Sequence, residues 1–129
     1  MSGPPARKVL IVDDDASVRK GLRRLVQAAG YEVEVFAEAR EFLARPAEPA
    51  RPACLVVDVR MPGMSGLELV DVIAGTPRAL PVVFISGHAD DDVRERAHAC
   101  GAVAFLDKPV ADTALLEAIE RGLEQSLSL

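Results

Sequence analysis

The sequence predicts an α/β domain in which five strands alternate with five helices around one doubly wound, five-stranded parallel sheet. Three observations predict it. The apolar runs "VLIV" (9–12), "CLVV" (54–57) and "PVVFI" (81–85) are short, rich in β-branched residues and free of polar alternation, as strands buried on both faces are. Apolar residues at helical spacing fill the intervals between them. Strand and helix thus alternate along the chain, and right-handed crossovers place helices on both faces of the sheet.

Each element has its own signal. Behind the first strand, Val18, Leu22, Leu25, Val26 and Ala29 repeat at helical spacing, and Gly30 stands where a helix C-terminus would be capped. "YEVEVF" (31–36) alternates, which suits an edge strand, and Ala37 to Leu43 reads as a short second helix. "ARPAEPARPA" (44–53) reads as a stiff surface loop ahead of the third strand. Ser65 and Glu68 form a capping box before "LELVDVIA". The helix expected over "ADDDVRERAHAC" (89–100) has a thin apolar stripe, Val93, Ala97 and Cys100, so it packs lightly and leaves a face for a partner. Asp90, Asp91 and Asp92 lie at its start, where the helix dipole favours acids. "AVAFL" (102–106) is the fifth strand, and Leu115, Leu116, Ile119 and Leu123 line one face of a last helix.

Composition limits the function. The chain has 129 residues, half of them apolar, enough for one buried core. A net charge of −5 disfavours direct nucleic-acid binding, which needs clustered Lys and Arg. No apolar run approaches the roughly 18 residues of a membrane span. The start "MSGPPARK" is too short and too poor in apolar residues for a secretory signal, so a soluble cytoplasmic protein is expected. Residues 1–7 read as a flexible leader, 8–124 as the domain, and 125–129 as a tail or the start of a linker. Cys54 and Cys100 lack metal-ligand spacing and read as buried free thiols.

Chemistry gathers at the strand ends. In doubly wound sheets, ligands sit beyond the carboxyl ends of the strands. Strand one ends in Asp13, Asp14 and Asp15, strand three in Asp58, strand four in Ser86, and strand five in Asp107, Lys108 and Pro109. Like charges about 4 Å apart cost roughly 4 kcal/mol at an effective dielectric near 20. Such a site either raises a pKa or binds a cation. Oxygen-only ligands select a hard ion, and Mg²⁺ fits, with Asp13 and Asp14 as candidate ligands. Asp15 reads instead as the cap of the first helix.

"VLIVDDDASVRKGL", "LVVDVRMPGMSGLEL", "VVFISGHAD" and "GAVAFLDKPV" together resemble the receiver domain of bacterial response regulators, with the FixJ-like subgroup nearest in character. The likeness runs from residue 8 to about 124. It implies the flavodoxin-like receiver fold with strand order 2-1-3-4-5. It also implies that Asp58 is the phosphoacceptor, receiving a phosphoryl group from a sensor histidine kinase. Asp13, Asp14, Asp58 and the main-chain carbonyl of Arg60 would hold Mg²⁺. Ser86 would be the hydroxyl that turns to the phosphoryl group, Lys108 its charge partner, and Phe105 the aromatic switch residue. The Lys108–Pro109 bond is expected cis. Arg60 and His88 occupy positions that tune phosphate lifetime. A phosphorylation-dependent homodimer through helix four, strand five and helix five is expected. Transcriptional output would come through a domain or partner outside these residues. Ser86 stands where Thr is also common, a modest departure.

Two other classes compete. A small Mg²⁺-dependent phosphohydrolase would want a second acid two positions after its nucleophile, and Arg60 stands there. A flavin or nucleotide binder would want a Gly-, Ser- or Thr-rich loop after strand one, where three aspartates would repel a phosphate.

Overall fold

A computed structural model of the protein describes residues 7–46, 52–88 and 90–127. The elements are β1 (Lys8–Val12), α1 (Ala16–Ala28), β2 (Glu32–Phe36), α2 (Ala39–Ala44), β3 (Ala53–Asp58), α3 (Gly66–Ile73), β4 (Val82–Ser86), α4 (Asp91–Ala99), β5 (Ala104–Asp107) and α5 (Asp112–Leu127). All strand pairs are parallel, in the order β2-β1-β3-β4-β5, as the resemblance implies.

The alternation of side chains along each strand makes two cores. Leu10, Val12, Leu55, Val57 and Phe84 face one layer, with Phe42 of α2, Leu69 and Ile73 of α3, and Ala97 of α4. Val9, Ile11, Val56, Val83 and Ile85 face the other, with Leu22 and Val26 of α1, and Leu115, Ile119 and Leu123 of α5. β1, β3 and β4 are buried at every position, which is why their sequences show no alternation. β2 is an edge strand and is only partly buried.

Local chemistry fixes the ends. The Asp15 side chain caps α1, accepting from the Ser17 and Val18 amides at 2.8 and 3.2 Å. Ser65 and Glu68 complete the capping box of α3. Asp90 caps α4. Arg78 holds the start of the Pro/Ala-rich loop by donating to the carbonyls of Leu43 (3.1 Å) and Arg45 (2.9 Å). The middle of that loop, 47–51, lies outside the described residues, as does 1–6 of the leader.

Several boundaries move. β5 begins at Ala104, opposite Val83, after the turn through Gly101 (φ +82°) and a single lead-in bond from the Val103 amide to Val82 O at 2.8 Å. α2 begins at Ala39. Residues 125–127 continue α5 rather than form a tail, and Ser126 Oγ accepts from the Ala53 amide at 3.3 Å. Arg7, the described end of the leader, already contacts the domain: its carbonyl accepts from the Glu32 amide (3.0 Å) and its guanidinium pairs with Glu120 (3.1 Å). Cys54 is buried as expected, but Cys100 is exposed. It stands at the C-terminal cap of α4, where its thiol donates back to the Ala97 carbonyl at 3.1 Å instead of entering the core.

Candidate functional site

The parallel sheet delivers Asp13, Asp58, Ser86 and Lys108 to its carboxyl edge. Asp13 and Ser86 are wholly buried, and Asp58 is 5% exposed. β1 sets Asp13 in place through its amide, which donates to Phe36 O at 3.1 Å, and Arg19 of α1 donates to the Asp13 carbonyl at 2.7 Å. Asp13 Oδ1 accepts from the Asp15 amide at 2.9 Å. The loop after β3 folds back tightly over Asp58. A Cβ on Gly66 would lie 2.4 Å from the Asp58 carbonyl oxygen, so only glycine fits there. The Arg60 amide donates to Asp58 Oδ1 at 3.2 Å, while the Arg60 side chain is exposed.

Lys108 links the two buried acids. Its Nζ lies 2.9 Å from Asp13 Oδ2 and 3.3 Å from Asp58 Oδ2. The contact to Asp58 is a hydrogen bond. The shorter contact to Asp13 is an ion pair with Oδ2, an oxygen buried in the pocket floor. The Lys108 amide donates to Ser86 O at 2.8 Å, and the Lys108–Pro109 bond is cis as expected. Ser86 Oγ accepts from the His88 amide at 3.3 Å.

The electrostatics follow from this packing. Burial first, and the Asp13 charge second, push the Asp58 carboxyl up to about 6, against the opposing pull of Lys108 and the Arg60 amide. Burial pulls the Lys108 ammonium down, but the adjacent Asp13 and Asp58 outweigh it and leave its pKa raised.

Asp13, Asp14 and Asp58 each present a carboxylate oxygen, and the three oxygens lie within 4.8 Å of one another. Asp14 is exposed, the other two buried. Three hard carboxylate oxygens converging, two of them from buried residues, fit a hard divalent cation.

Not every acid named from the sequence joins this cluster. Asp15 is spent on its helix cap. Asp107 is exposed and turns away to Arg94, whose Nη2 donates to its Oδ1 at 2.5 Å. The Phe105 ring is half-buried, 6.4 Å from Phe84 centroid to centroid. Arg94 and Arg19 carried no signal in the sequence, because their partners lie on other elements and no spacing within a helix announces them.

Comparison with known proteins agrees with this geometry. The family described as the response regulator receiver domain matches residues 9–120. Nodulation protein W of Bradyrhizobium diazoefficiens is 42% identical over 117 residues, covering 91% of this chain and 51% of that protein. The transcriptional regulatory protein FixJ of Rhizobium meliloti is 41% identical over 116 residues, covering 90% and 56%. The crystal structure of FixJ-N superposes with a TM-score of 0.81 at 39% identity, covering 93% of this chain and 95% of that one. The chain thus spans about half the length of the curated relatives it matches. Among the described residues no helix is long and apolar enough to cross a membrane. The phosphohydrolase alternative finds no support in these matches. The chain belongs to the response regulator receiver domain family of two-component signalling.

Proposed function

We propose that this domain accepts a phosphoryl group on Asp58 from a phosphohistidine of a sensor histidine kinase. An Asp58 carboxylate oxygen forms the new bond to phosphorus as the bond to the donor nitrogen breaks. The observation that carries the reading is the contact of Asp58, nearly buried, with the Lys108 ammonium at 3.3 Å. Phosphoryl transfer needs positioning and charge neutralisation more than covalent help, and Lys108 supplies a fixed positive charge where negative charge builds. With its pKa near 6, Asp58 is largely ionised at neutral pH and available as the nucleophile. Asp13, Asp14, Asp58 and the Arg60 main-chain carbonyl would hold Mg²⁺, which when bound neutralises phosphoryl oxygens.

Ser86 and Lys108 would donate to the phosphoryl oxygens, and Phe105 would follow Ser86 inward to change the surface of α4, β5 and α5. The exposed side chains of Arg60 and His88 would tune phosphate lifetime. The domain acts as a switch, without turnover of an external substrate beyond its own phosphorylation and dephosphorylation. Phosphorylation would favour a homodimer through the altered surface. Output, on the pattern of the FixJ relative, would be transcriptional and would not involve nucleic-acid contact by this acidic domain. The setting is cytoplasmic.

Acetyl phosphate with Mg²⁺ is expected to add one phosphoryl group to the protein, read by intact mass spectrometry. Asp58→Asn is expected to abolish the adduct, and undiminished labelling of that variant would refute the assignment.

A further inference from the structure

We propose that Arg94 is a positioning residue that latches α4 to the end of β5, so that α4 senses the state of Asp58. The inference rests on the reading of Asp58 given above. Arg94 reaches out from α4 and makes two contacts with one group. Its Nη2 donates to Asp107 Oδ1 at 2.5 Å. Its guanidinium lies 4.9 Å from the centre of the Phe105 ring, the ring that also meets Phe84. Asp107 directly precedes Lys108, whose amide is bound to Ser86 O and whose ammonium bridges Asp13 and Asp58. One side chain therefore holds both the aromatic residue of β5 and the neighbour of the site's cation.

The packing of α4 makes these contacts matter. Ala97 is the only residue of α4 that is fully buried, with Val93 partly covered. α5, on the other layer, buries Leu115, Ala118, Ile119 and Leu123. Beside this thin apolar contact, Arg94 adds an ion pair and a cation–π contact between α4 and β5. An exposed ion pair and an exposed cation–π contact are each weak. Weak contacts suit a latch that must open. A phosphoryl group on Asp58 draws on Lys108 and so disturbs Asp107. Phe105 cannot turn inward without leaving the guanidinium. The latch thus favours the resting arrangement, and by linkage its loss favours the phosphorylated one.

The test uses the full chain with fluorophenylalanine, whose four sites include Phe105, identified by Phe105→Leu. Beryllofluoride with Mg²⁺ serves as the phosphoryl mimic. Arg94→Ala is expected to bind it about fivefold more tightly than the unaltered protein. Without the mimic, its Phe105 fluorine resonance is expected to shift toward the bound position. Asp107→Asn keeps the ring contact and is expected to shift both readouts the same way by less. Unchanged affinity with an unmoved resonance in Arg94→Ala overturns the latch. If Arg94→Ala does not fold, Asp107→Asn decides by the same two readouts. An unaltered protein that fails to respond to beryllofluoride refutes the reading of Asp58 instead.

Discussion

Two clusters at opposite ends of the strands are each built from two acidic groups and one cation, and they behave differently. At the amino end, Tyr31 OH donates to Glu120 Oε2 at 2.5 Å, and Arg7 pairs with Glu120 Oε1 at 3.1 Å. At the carboxyl end, Asp13 and Asp58 share Lys108. The first cluster is internally settled. A phenol keeps its proton at neutral pH, so it donates to the carboxylate rather than repelling it. The second is unsettled. Two carboxylates are buried side by side and share one ammonium, so a net negative charge is left in the pocket. Two buried like charges on one cation give a site that demands another ligand; a neutral donor beside the acid gives a strut.

Removing the shared cation is the sharpest way to break the contrast. Lys108→Ala is expected to slow labelling by acetyl phosphate by about 100-fold, the scale of losing one preorganised charge-stabilising donor. Labelling within a fewfold of the unaltered rate would mean that Lys108 is only structural. The next effect tests the wall behind the site. Gly66→Ala sets a methyl 2.4 Å from the Asp58 carbonyl oxygen and is expected to cost about 1–3 kcal/mol in urea unfolding. A neutral result would show that the β3–α3 loop yields easily.

The smallest effect sharpens the settled cluster. Burial first, then the hydrogen bond to Glu120, push the Tyr31 phenol up to about 12. The neutral phenol is the form favoured by folding, so its stabilisation is complete below the unfolded value of about 10 and fades as pH rises toward 12. Tyr31 is the sole tyrosine and there is no tryptophan, so phenolate absorbance reads it directly. Glu120→Gln is expected to bring the titration down toward 10, and a midpoint that stays put would assign the whole shift to burial.

The parts of the molecule legible in the sequence are those set by neighbours along the chain. Runs such as "VLIV" announce strands buried on both faces, Ser65 and Glu68 announce a helix start, and aspartates at successive strand ends announce the acidic pocket. What escaped depends on contacts across elements. β5 starts late, after the Gly101 turn and opposite Val83, and α5 continues past residue 124 with Ser126 bonded to the start of β3. Asp107 looks identical to Asp13 in sequence, yet Arg94 on another element draws it out of the site. Cys100 shares helical spacing with Ala97, but as a cap residue it leaves the core.

The two cysteines carry a practical consequence. Cys54 is wholly enclosed and its thiol is pushed up to about 12 by burial, and a Cβ on Gly122 would come within 2.7 Å of its sulfur. A reagent cannot reach it without unfolding the sheet. Cys100 is exposed at the end of α4. Alkylating dyes and spin labels applied to the folded protein would therefore attach at a single place, on the helix with the least buried surface, and report its motion without any engineered cysteine.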